Sequence, residues 1–214
     1  GYQNVTVDFS DDFNVVIGKN DIGKSTILEA MEIFFNNEVV KIDIDDCNVF
    51  SDDKTMSIQI SFIPEKLSYT IDTIPTNFKD EYLLDRNGWL TIKKSWDCSK
   101  GKLSASSLKT SMISNYPVNF PTPLVNLKIT ELRKLLTDEY ASILNVDTVK
   151  KNTSSQIRLA IYNSTENLVL DEIPIDIDKE DGKKIWGALQ IDLPLFFLFQ
   201  SDRENRDSDK EVQS

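Results

Sequence analysis

The sequence predicts an α/β fold built around a phosphate-binding loop, with a sheet that mixes parallel and antiparallel strands. The first observation is the pattern G-x-x-x-x-G-K-S at Gly18–Ser25, which stands between an apolar run and a segment with helical spacing of apolar residues. The second is a series of alternating apolar and polar segments between residues 55 and 96, which indicates antiparallel strands. With 214 residues and 40% hydrophobic content, the chain can bury a core of this kind.

The loop contains the residue types that phosphate binding requires. Gly18 and Gly23 can adopt backbone angles closed to other residues, so consecutive N–H groups can converge on an anion. Lys24 would reach the β- and γ-phosphates as the catalytic residue, and the Ser25 hydroxyl would bind Mg²⁺. The alternative is a turn between strand and helix that binds nothing. We expect a site for ATP with Mg²⁺ that comprises Gly18, Lys19, Asn20, Asp21, Ile22, Gly23, Lys24, Ser25 and Thr26.

The amino-acid composition excludes several classes of protein. Histidine is absent and the two cysteines, Cys47 and Cys98, form no C-x-x-C pair, so a zinc site or a histidine-based catalytic triad has no basis. The formal net charge of −11 argues against a surface that is basic throughout. No apolar run approaches the ~20 residues of a membrane span and no signal peptide is evident, which favours a soluble protein in a reducing cytoplasm.

The first elements surround the loop. Alternation from Tyr2 to Phe9 predicts an antiparallel strand, which turns at Asp11-Asp12 into a second strand that includes Val15–Ile17. A helix is expected from about Lys24 to Phe35, with an apolar stripe that faces the core. The acidic segment Asp43–Asp53 lacks the residue order of a calcium-binding loop, so we expect it to be solvated.

An antiparallel β region follows. Its expected strands are Thr55–Ile63, Tyr69–Ile74, Tyr82–Leu84 and Gly88–Trp96. The last two are joined by a predicted hairpin turn, Asp85-Arg86-Asn87-Gly88. The next segment, Gly101–Pro123, is rich in Ser, Lys, Asn and Pro, which favours a loop or an insertion.

The last third of the chain combines helices and strands. Apolar spacing predicts helices at Thr130–Leu144 and Lys179–Gln190, and alternation predicts a strand at Asn167–Ile177. Ser154–Tyr162 is too short to assign. The nearly continuous apolar run Leu193–Gln200 is typical of a strand buried on both faces.

One segment of this acidic chain is basic. Between residues 86 and 109 the charged residues are Arg86, Lys93, Lys94, Lys100, Lys102 and Lys109, against Asp97 alone. These side chains would suit the phosphate backbone of DNA. They would equally suit an exposed strand edge, which charge protects from pairing with other chains. Both alternatives stay open.

A phosphate-binding loop that leads into antiparallel strands, rather than directly into parallel βαβ units, is the arrangement of a P-loop NTPase of the ABC-ATPase-head type. On this interpretation, residues 1–214 form a partial ATPase domain. The P-loop and the antiparallel region occupy residues 1–100, a loop or insertion occupies 101–127, and helices and strands occupy 128–214. We expect the helical lobe and the Walker B carboxylate beyond residue 214.

The stretches GKNDIGKSTILEAMEIFF and LPLFFLFQSDREN resemble the N-terminal ATPase segment of the OLD-family ATP-dependent endonucleases of bacterial anti-phage defence. The resemblance implies an ABC head that forms a homodimer or higher homo-oligomer around ATP, and a TOPRIM nuclease domain further along the polypeptide that cuts DNA. It implies other defence components as further partners, and no membrane. It also implies that Gln200 is the Q-loop glutamine, which helps to bind the Mg²⁺ held by Ser25.

The sequence departs from that family in two respects. No TOPRIM carboxylate cluster and no LSGGQ signature can be recognised, so nuclease activity cannot be assigned to these residues. Thr153-Ser154-Ser155-Gln156 imitates the signature but lacks both glycines. Asp171-Glu172 imitates a Walker B motif, yet the alternation continues to Ile177, so a Walker B pair and an ordinary strand remain alternatives. For the function, the alternatives are an SMC- or RecF-like ATPase that binds DNA without cutting it, and a stand-alone regulator that binds a nucleotide.

Overall fold

A computed structural model describes residues 4–19, 23–48, 53–65, 68–71 and 74–199. The chain forms two compact units, Gly1–Asn4 with Asp43–Pro194 and Val5–Ile42 with Leu195–Ser214. The helices are α1 (Lys24–Phe35), α2 (Ile129–Glu139), α3 (Ser154–Ser164) and α4 (Glu180–Leu189). The strands are β1 (Thr55–Phe62), β2 (Ser68–Ile71), β3 (Ile74–Asn77), β4 (Leu90–Asp97), β5 (Leu108–Pro117) and β6 (Leu170–Asp176). No helix within these described ranges has both the length and the apolarity that crossing a membrane requires.

The larger unit is organised by a four-stranded sheet in the order β1-β4-β5-β6, in which every neighbouring pair is antiparallel. The strands β2 and β3 form a separate hairpin. One row of cross-strand neighbours runs over the whole sheet through Ile60, Ile92, Met112 and Ile175. The last three of these side chains are completely buried. This row marks the side of the sheet that faces the core.

Helix α3 covers the core-facing side of the sheet. Tyr116 follows Met112 on β5 by four residues and so projects to the same side. Its hydroxyl is hydrogen-bonded to the hydroxyl of Tyr162 on α3, and it accepts a hydrogen bond from the Val125 N–H at 3.2 Å. The helices contribute further buried apolar side chains, which are Leu132, Leu136, Ile157, Ile161 and Ile185. The predicted α/β class is confirmed. The parallel strands expected in a mixed sheet are not found in the described part of the chain, where each strand pair is antiparallel.

Several elements were predicted close to their observed bounds. The helix expected at Lys24–Phe35 is α1. Along β1, exposed and half-buried residues alternate as expected of a strand with one face toward a core. The predicted turn forms, since the Gly88 N–H donates to the Asp85 carbonyl at 3.0 Å and Gly88 has a φ of 78°. The segment left unassigned at 154–162 is helix α3.

The prediction of a loop or insertion at residues 101–127 is wrong. This segment contains β5, a ten-residue strand between β4 and β6 at the interior of the sheet. Ser111 and Ser114 are buried on it, and its backbone pairs with neighbours on both sides. The polar composition favoured a loop because composition does not register these long-range backbone hydrogen bonds.

Two other predictions in the β region need correction. Tyr82–Leu84 is not a strand, because residues 78–82 form tight turns in which the Leu83 N–H donates to the Phe78 carbonyl at 2.8 Å. The antiparallel partners of β4 are β1 and β5 instead. The single strand expected at Tyr69–Ile74 is divided between the two strands of the β2–β3 hairpin.

In the smaller unit, three predicted strands are not found in the part that the structure describes. Tyr2–Phe9, Val15–Ile17 and Leu193–Gln200 were expected to be strands, but residues 5–18 and 194–199 are assigned to no strand. A strand needs a hydrogen-bonded neighbour, and the described residues of this unit provide none. Side chains expected in a core are therefore exposed, with Ile17 at 86% and Phe199 at 92%.

We expect Gly182→Ala to destabilise the larger unit by roughly 1–3 kcal/mol, because an added Cβ would overpack a fixed contact. That Cβ would lie 2.8 Å from the Asp176 carbonyl oxygen and 3.2 Å from the Ile177 Cα, which are backbone atoms that cannot rotate away. Gly187→Ala on the same helix is the matched control, because nothing lies within 4 Å of its added Cβ. It should be neutral or stabilise by up to about 1 kcal/mol. Urea unfolding measures both variants, and equal effects would contradict the packing argument.

Candidate nucleotide-binding site

The phosphate-binding loop ends in a backbone conformation that favours glycine. Gly23 has φ 89° and ψ 20° and occupies the position that caps the N-terminus of α1. A residue with a Cβ is strained in this left-handed region, whereas glycine adopts it freely. Gly23 therefore allows the chain to turn sharply from the loop into the helix.

Lys24 connects the two ends of the loop. Its Nζ donates hydrogen bonds to the carbonyl oxygen of Gly18 at 2.8 Å and to the carbonyl oxygen of Lys19. Both acceptors are neutral, and a phosphate oxygen forms a stronger, charge-assisted hydrogen bond with an ammonium group. The ammonium is thus held over the loop by groups that a bound phosphate can replace.

The first turn of α1 offers a site of positive potential. No side chain caps this end of the helix, and its first turn contains no acidic residue. The first backbone N–H groups of a helix have no partner within it, and the helix dipole adds a partial positive charge there. Ser25 and Thr26 lie exposed in this turn. The Ser25 hydroxyl is an oxygen donor of the kind that Mg²⁺ accepts, so the residues present fit a nucleotide with Mg²⁺.

The structure therefore brings together six of the predicted nucleotide-binding residues: Gly18, Lys19, Gly23, Lys24, Ser25 and Thr26. The other three, Asn20, Asp21 and Ile22, lie outside the described residues, as does Gln200. Their predicted roles stay predictions.

Sequence reasoning missed a contact at the opposite end of α1. The side-chain amide of Asn36, just after the helix, donates to the Phe196 carbonyl at 3.0 Å. The rings of Phe35 and Phe196 stack with centroids 5.6 Å apart. The segment that leads to Gln200 therefore contacts the C-terminal end of α1. The N-terminal end of the same helix follows the phosphate-binding loop.

Glu32 organises this end of the helix. Its side chain is buried and accepts hydrogen bonds from the Asn36 amide at 2.7 Å and the Val39 N–H at 3.0 Å. Burial opposes ionisation, but these hydrogen bonds and one from the Glu38 N–H outweigh it, so the pKa of Glu32 lies below its ordinary value. The signal in the sequence was a carboxylate between Met31 and Ile33, among apolar residues of the helix.

A comparison with known families agrees with this geometry. The model of the AAA ATPase domain family matches residues 1–214. The chain belongs to this family. The match confirms the predicted P-loop NTPase fold and assigns the chain the binding and hydrolysis of ATP. No curated protein and no solved structure matches the chain.

The acidic pair Asp171-Glu172 of this ATPase domain lies on the surface. Both residues are exposed on β6, an edge strand of the sheet. The Asp171 Oδ1 atom accepts a hydrogen bond from the Arg86 guanidinium at 2.6 Å. The alternation of apolar and polar residues that argues against a Walker B motif is also observed in the structure, since Ile175 and Ile177 are buried. The geometry favours an ordinary edge strand with a surface ion pair.

The signature-like residues of the ATPase domain are in a position that does not suit a signature motif. Thr153 precedes helix α3, and Ser154 and Ser155 form its first turn. All three are buried, with 9%, 6% and 3% of their surface exposed. Side chains buried in this way are not available to a nucleotide on a second ATPase domain.

The basic segment does not form one surface. Lys94 alternates on β4 with the buried residues Ile92 and Trp96, so it lies on the core-facing side, where burial lowers its pKa. Lys93 lies on the opposite side of the sheet, and so does Lys109, which neighbours Ser95. The exposed residues Lys100 and Lys102 belong to the loop after β4, and Arg86 pairs with Asp171. Of the three lysines on β4 and β5, only Lys93 and Lys109 share one side of the sheet.

Proposed function

We propose that this ATPase domain is the ATP-binding head of an ATP-gated DNA endonuclease of the OLD family, which acts in the cytoplasm in bacterial anti-phage defence. The observation that carries the proposal is the geometry of Gly23 and Lys24 at the uncapped start of α1, in a chain that matches the ATPase family over residues 1–214. The resemblance at residues 18–35 and 193–205 supports the finer assignment. DNA cleavage would come from a nuclease domain further along the polypeptide.

Within this proposal, each residue of the loop has a distinct task. The N–H groups at the start of α1 orient the phosphates, and Lys24 moves from the Gly18 carbonyl to a phosphate oxygen. The Ser25 hydroxyl and the Gln200 amide oxygen would hold Mg²⁺. When bound, this ion neutralises charge that develops on the phosphates during hydrolysis.

The contact at the far end of α1 supports a coupling between nucleotide and the rest of the protein. The Phe35–Phe196 stack and the Asn36–Phe196 hydrogen bond fix the segment that precedes Gln200. A displacement of α1 when phosphates bind would therefore be transmitted to that segment. We propose that this movement controls the association of two ATPase domains, and through it the access of DNA to the nuclease.

The test compares Gln200→Ala and Ser25→Ala in the full-length protein. Gln200 would supply one neutral ligand, so its loss should weaken ATP binding by only ~1 kcal/mol. ATP-dependent dimerisation and the response of DNA cleavage to ATP should be lost, whereas Ser25→Ala should impair both binding and coupling. Gln190→Ala, an exposed glutamine directly after α4, is the control. If Gln200→Ala responded normally to ATP, the Q-loop assignment would be wrong. If the wild-type protein did not cleave DNA, an SMC- or RecF-like function would be favoured.

We also propose that the side of the sheet opposite the helices contacts the DNA backbone through Lys93 and Lys109. Their joint replacement by alanine should weaken DNA binding and reduce the slope of log affinity against log salt by roughly one unit per lost phosphate contact. Lys134→Ala with Lys183→Ala removes the same charge from exposed sites on α2 and α4. If the two double variants had equal salt slopes, Lys93 and Lys109 would not contact DNA and would instead protect the sheet from pairing with other chains.

A further inference from the structure

A small polar cavity lies in the larger unit. It has a volume of about 140 Å³ and is lined by residues of the β2–β3 hairpin, of the turn that follows β3 and of the first half of helix α3. A single ordered water needs only about a tenth of this volume. The cavity is therefore large enough for a small organic molecule.

Helix α3 contributes a hydroxyl group without a partner to this cavity. Ser155 lines the cavity, and only 3% of its surface is exposed. Its Oγ atom is buried and has no hydrogen-bond partner among the residues that the structure describes. A buried hydroxyl without a partner destabilises the fold, because it has lost its hydrogen bonds to water. A ligand that forms a hydrogen bond with Ser155 would remove this penalty.

The turn after β3 contributes a negative charge. Asp80 also lines the cavity, and its carboxylate accepts a hydrogen bond from the side-chain amide of Asn77, which is neutral. Within the described ranges of the chain, Asp80 forms no ion pair. Its side chain is exposed, so a cation from solution can reach it.

The second carboxylate at the cavity is already neutralised. Glu81 accepts hydrogen bonds from the Arg158 guanidinium at 2.7 and 2.8 Å and from the Thr76 hydroxyl at 3.2 Å. The described residues that line the cavity include no lysine and no arginine. Asp80 therefore gives the cavity a net negative charge, and the hydroxyl oxygens of Thr76 and Ser155 add neutral acceptors. An ammonium group, which has three donors and no acceptor, matches this combination.

We propose that this cavity binds a small primary alkylammonium ion. The ammonium group donates hydrogen bonds to the Asp80 carboxylate and to the Ser155 hydroxyl, and the alkyl chain contacts Leu159 and Pro75, which also line the cavity. A carboxylate ligand of the same size would be repelled by Asp80. A neutral alcohol would lack the charge-assisted hydrogen bond.

The experiment titrates n-butylammonium chloride into the isotope-labelled native chain at constant ionic strength and follows the backbone amide signals by NMR. The signals of Asp80 and Ser155 should shift until they saturate, with a dissociation constant of roughly 0.1–10 mM, as for a ligand of this size. In the same titration, n-butanol should bind at least about tenfold more weakly, and sodium butyrate should leave these signals unchanged.

Two variants test the residues that would hold the ammonium group. Asp80→Asn keeps the shape of the side chain and removes its charge, so it should weaken binding of n-butylammonium at least about tenfold. Ser155→Ala should weaken binding about three- to tenfold without lowering the thermal midpoint, because the hydroxyl that it removes has no partner in the described structure. Asp138→Asn, at an exposed position on α2, removes the same charge elsewhere and should keep the wild-type affinity.

Three results would overturn the proposal. The first is the absence of a saturable shift at Asp80 and Ser155 up to about 50 mM n-butylammonium. The second is equal affinity for n-butanol and n-butylammonium, which would show that the charge of the ligand is not recognised. This comparison needs only the wild-type chain, so it decides the question even if a variant fails to fold. The third is an equal loss of affinity in Asp80→Asn and Asp138→Asn, which would assign the effect to overall charge.

Discussion

Lys24→Ala should raise the dissociation constant for ATP roughly 30- to 150-fold, which corresponds to a loss of about 2–3 kcal/mol. The ammonium of Lys24 is the charged group that the structure places over the phosphate-binding loop, within 2.8 Å of the Gly18 carbonyl. Alanine retains the helix and its N–H groups, so the lost free energy reports the charged contact alone. Calorimetry with ATP and Mg²⁺ measures the affinity, and phosphate release measures hydrolysis, which should become undetectable.

The neighbouring lysine provides the matched control. Lys19 belongs to the same loop, but its part in the structure is the carbonyl oxygen that accepts a hydrogen bond from Lys24. Lys19→Ala removes the same charge and keeps that carbonyl, so we expect less than about a fivefold change in ATP affinity, as for an exposed charge. If both variants lost the same affinity, overall charge would explain the effect and the position of Lys24 would not.

The residues around Lys24 show what local sequence can predict. Helix α1 begins after a glycine and carries apolar residues at helical spacing, and both signals lie within about a dozen residues. The turn at Asp85–Gly88 is equally local, because Gly88 supplies the positive φ that the turn requires. Elements whose causes are local were predicted near their true ends.

The elements that could not be predicted have distant causes. β5 is a strand because β4 and β6 lie on either side of it, and those partners are up to 65 positions away in the register, as between Ser111 and Asp176. The apolar run at 193–199 satisfied the pattern of a buried strand, but the described part of its unit offers it no hydrogen-bonded neighbour. The contact of Phe196 with α1 was also hidden, since 160 positions separate Asn36 from its acceptor.

A buried ion cluster in the larger unit was likewise invisible in the sequence. Arg158 lies on α3, and its side chain is completely buried. Its guanidinium donates to Glu81 at 2.7 and 2.8 Å and to Asp181 at 2.6 Å. These contacts join helix α3 to helix α4 and to the turn after β3. No pattern in the sequence around Arg158 indicates that it contacts the carboxylates of Glu81 and Asp181, which are 77 and 23 positions away.

Arg158→Met should destabilise the larger unit by about 3–5 kcal/mol, because two buried carboxylates lose their main partner while the apolar volume is kept. Arg86→Met is the matched control, since Arg86 pairs with Asp171 at the same distance of 2.6 Å but both side chains are about 60% exposed. Its effect should be below about 1 kcal/mol. Urea unfolding of the two variants therefore separates burial from ion-pair geometry. Adding Glu81→Met to Arg158→Met should recover at least about 1 kcal/mol, because one orphaned carboxylate is then removed.

The pH dependence of the same variant shows whether the lost stability comes from the ion cluster or from a packing defect. In the wild type, burial opposes ionisation of Asp181, but Arg158 and then Lys184 outweigh it, so its pKa lies below the ordinary value. A carboxyl group with a lowered pKa stabilises the fold above its unfolded pKa of roughly 4, and this contribution is lost as the pH falls. Without Arg158 the burial of Asp181 dominates and raises its pKa, so its penalty grows as the pH rises above roughly 4. The difference in stability between wild type and Arg158→Met should therefore shrink by at least about 1 kcal/mol between pH 7 and pH 4.5, whereas a cavity would leave that difference independent of pH.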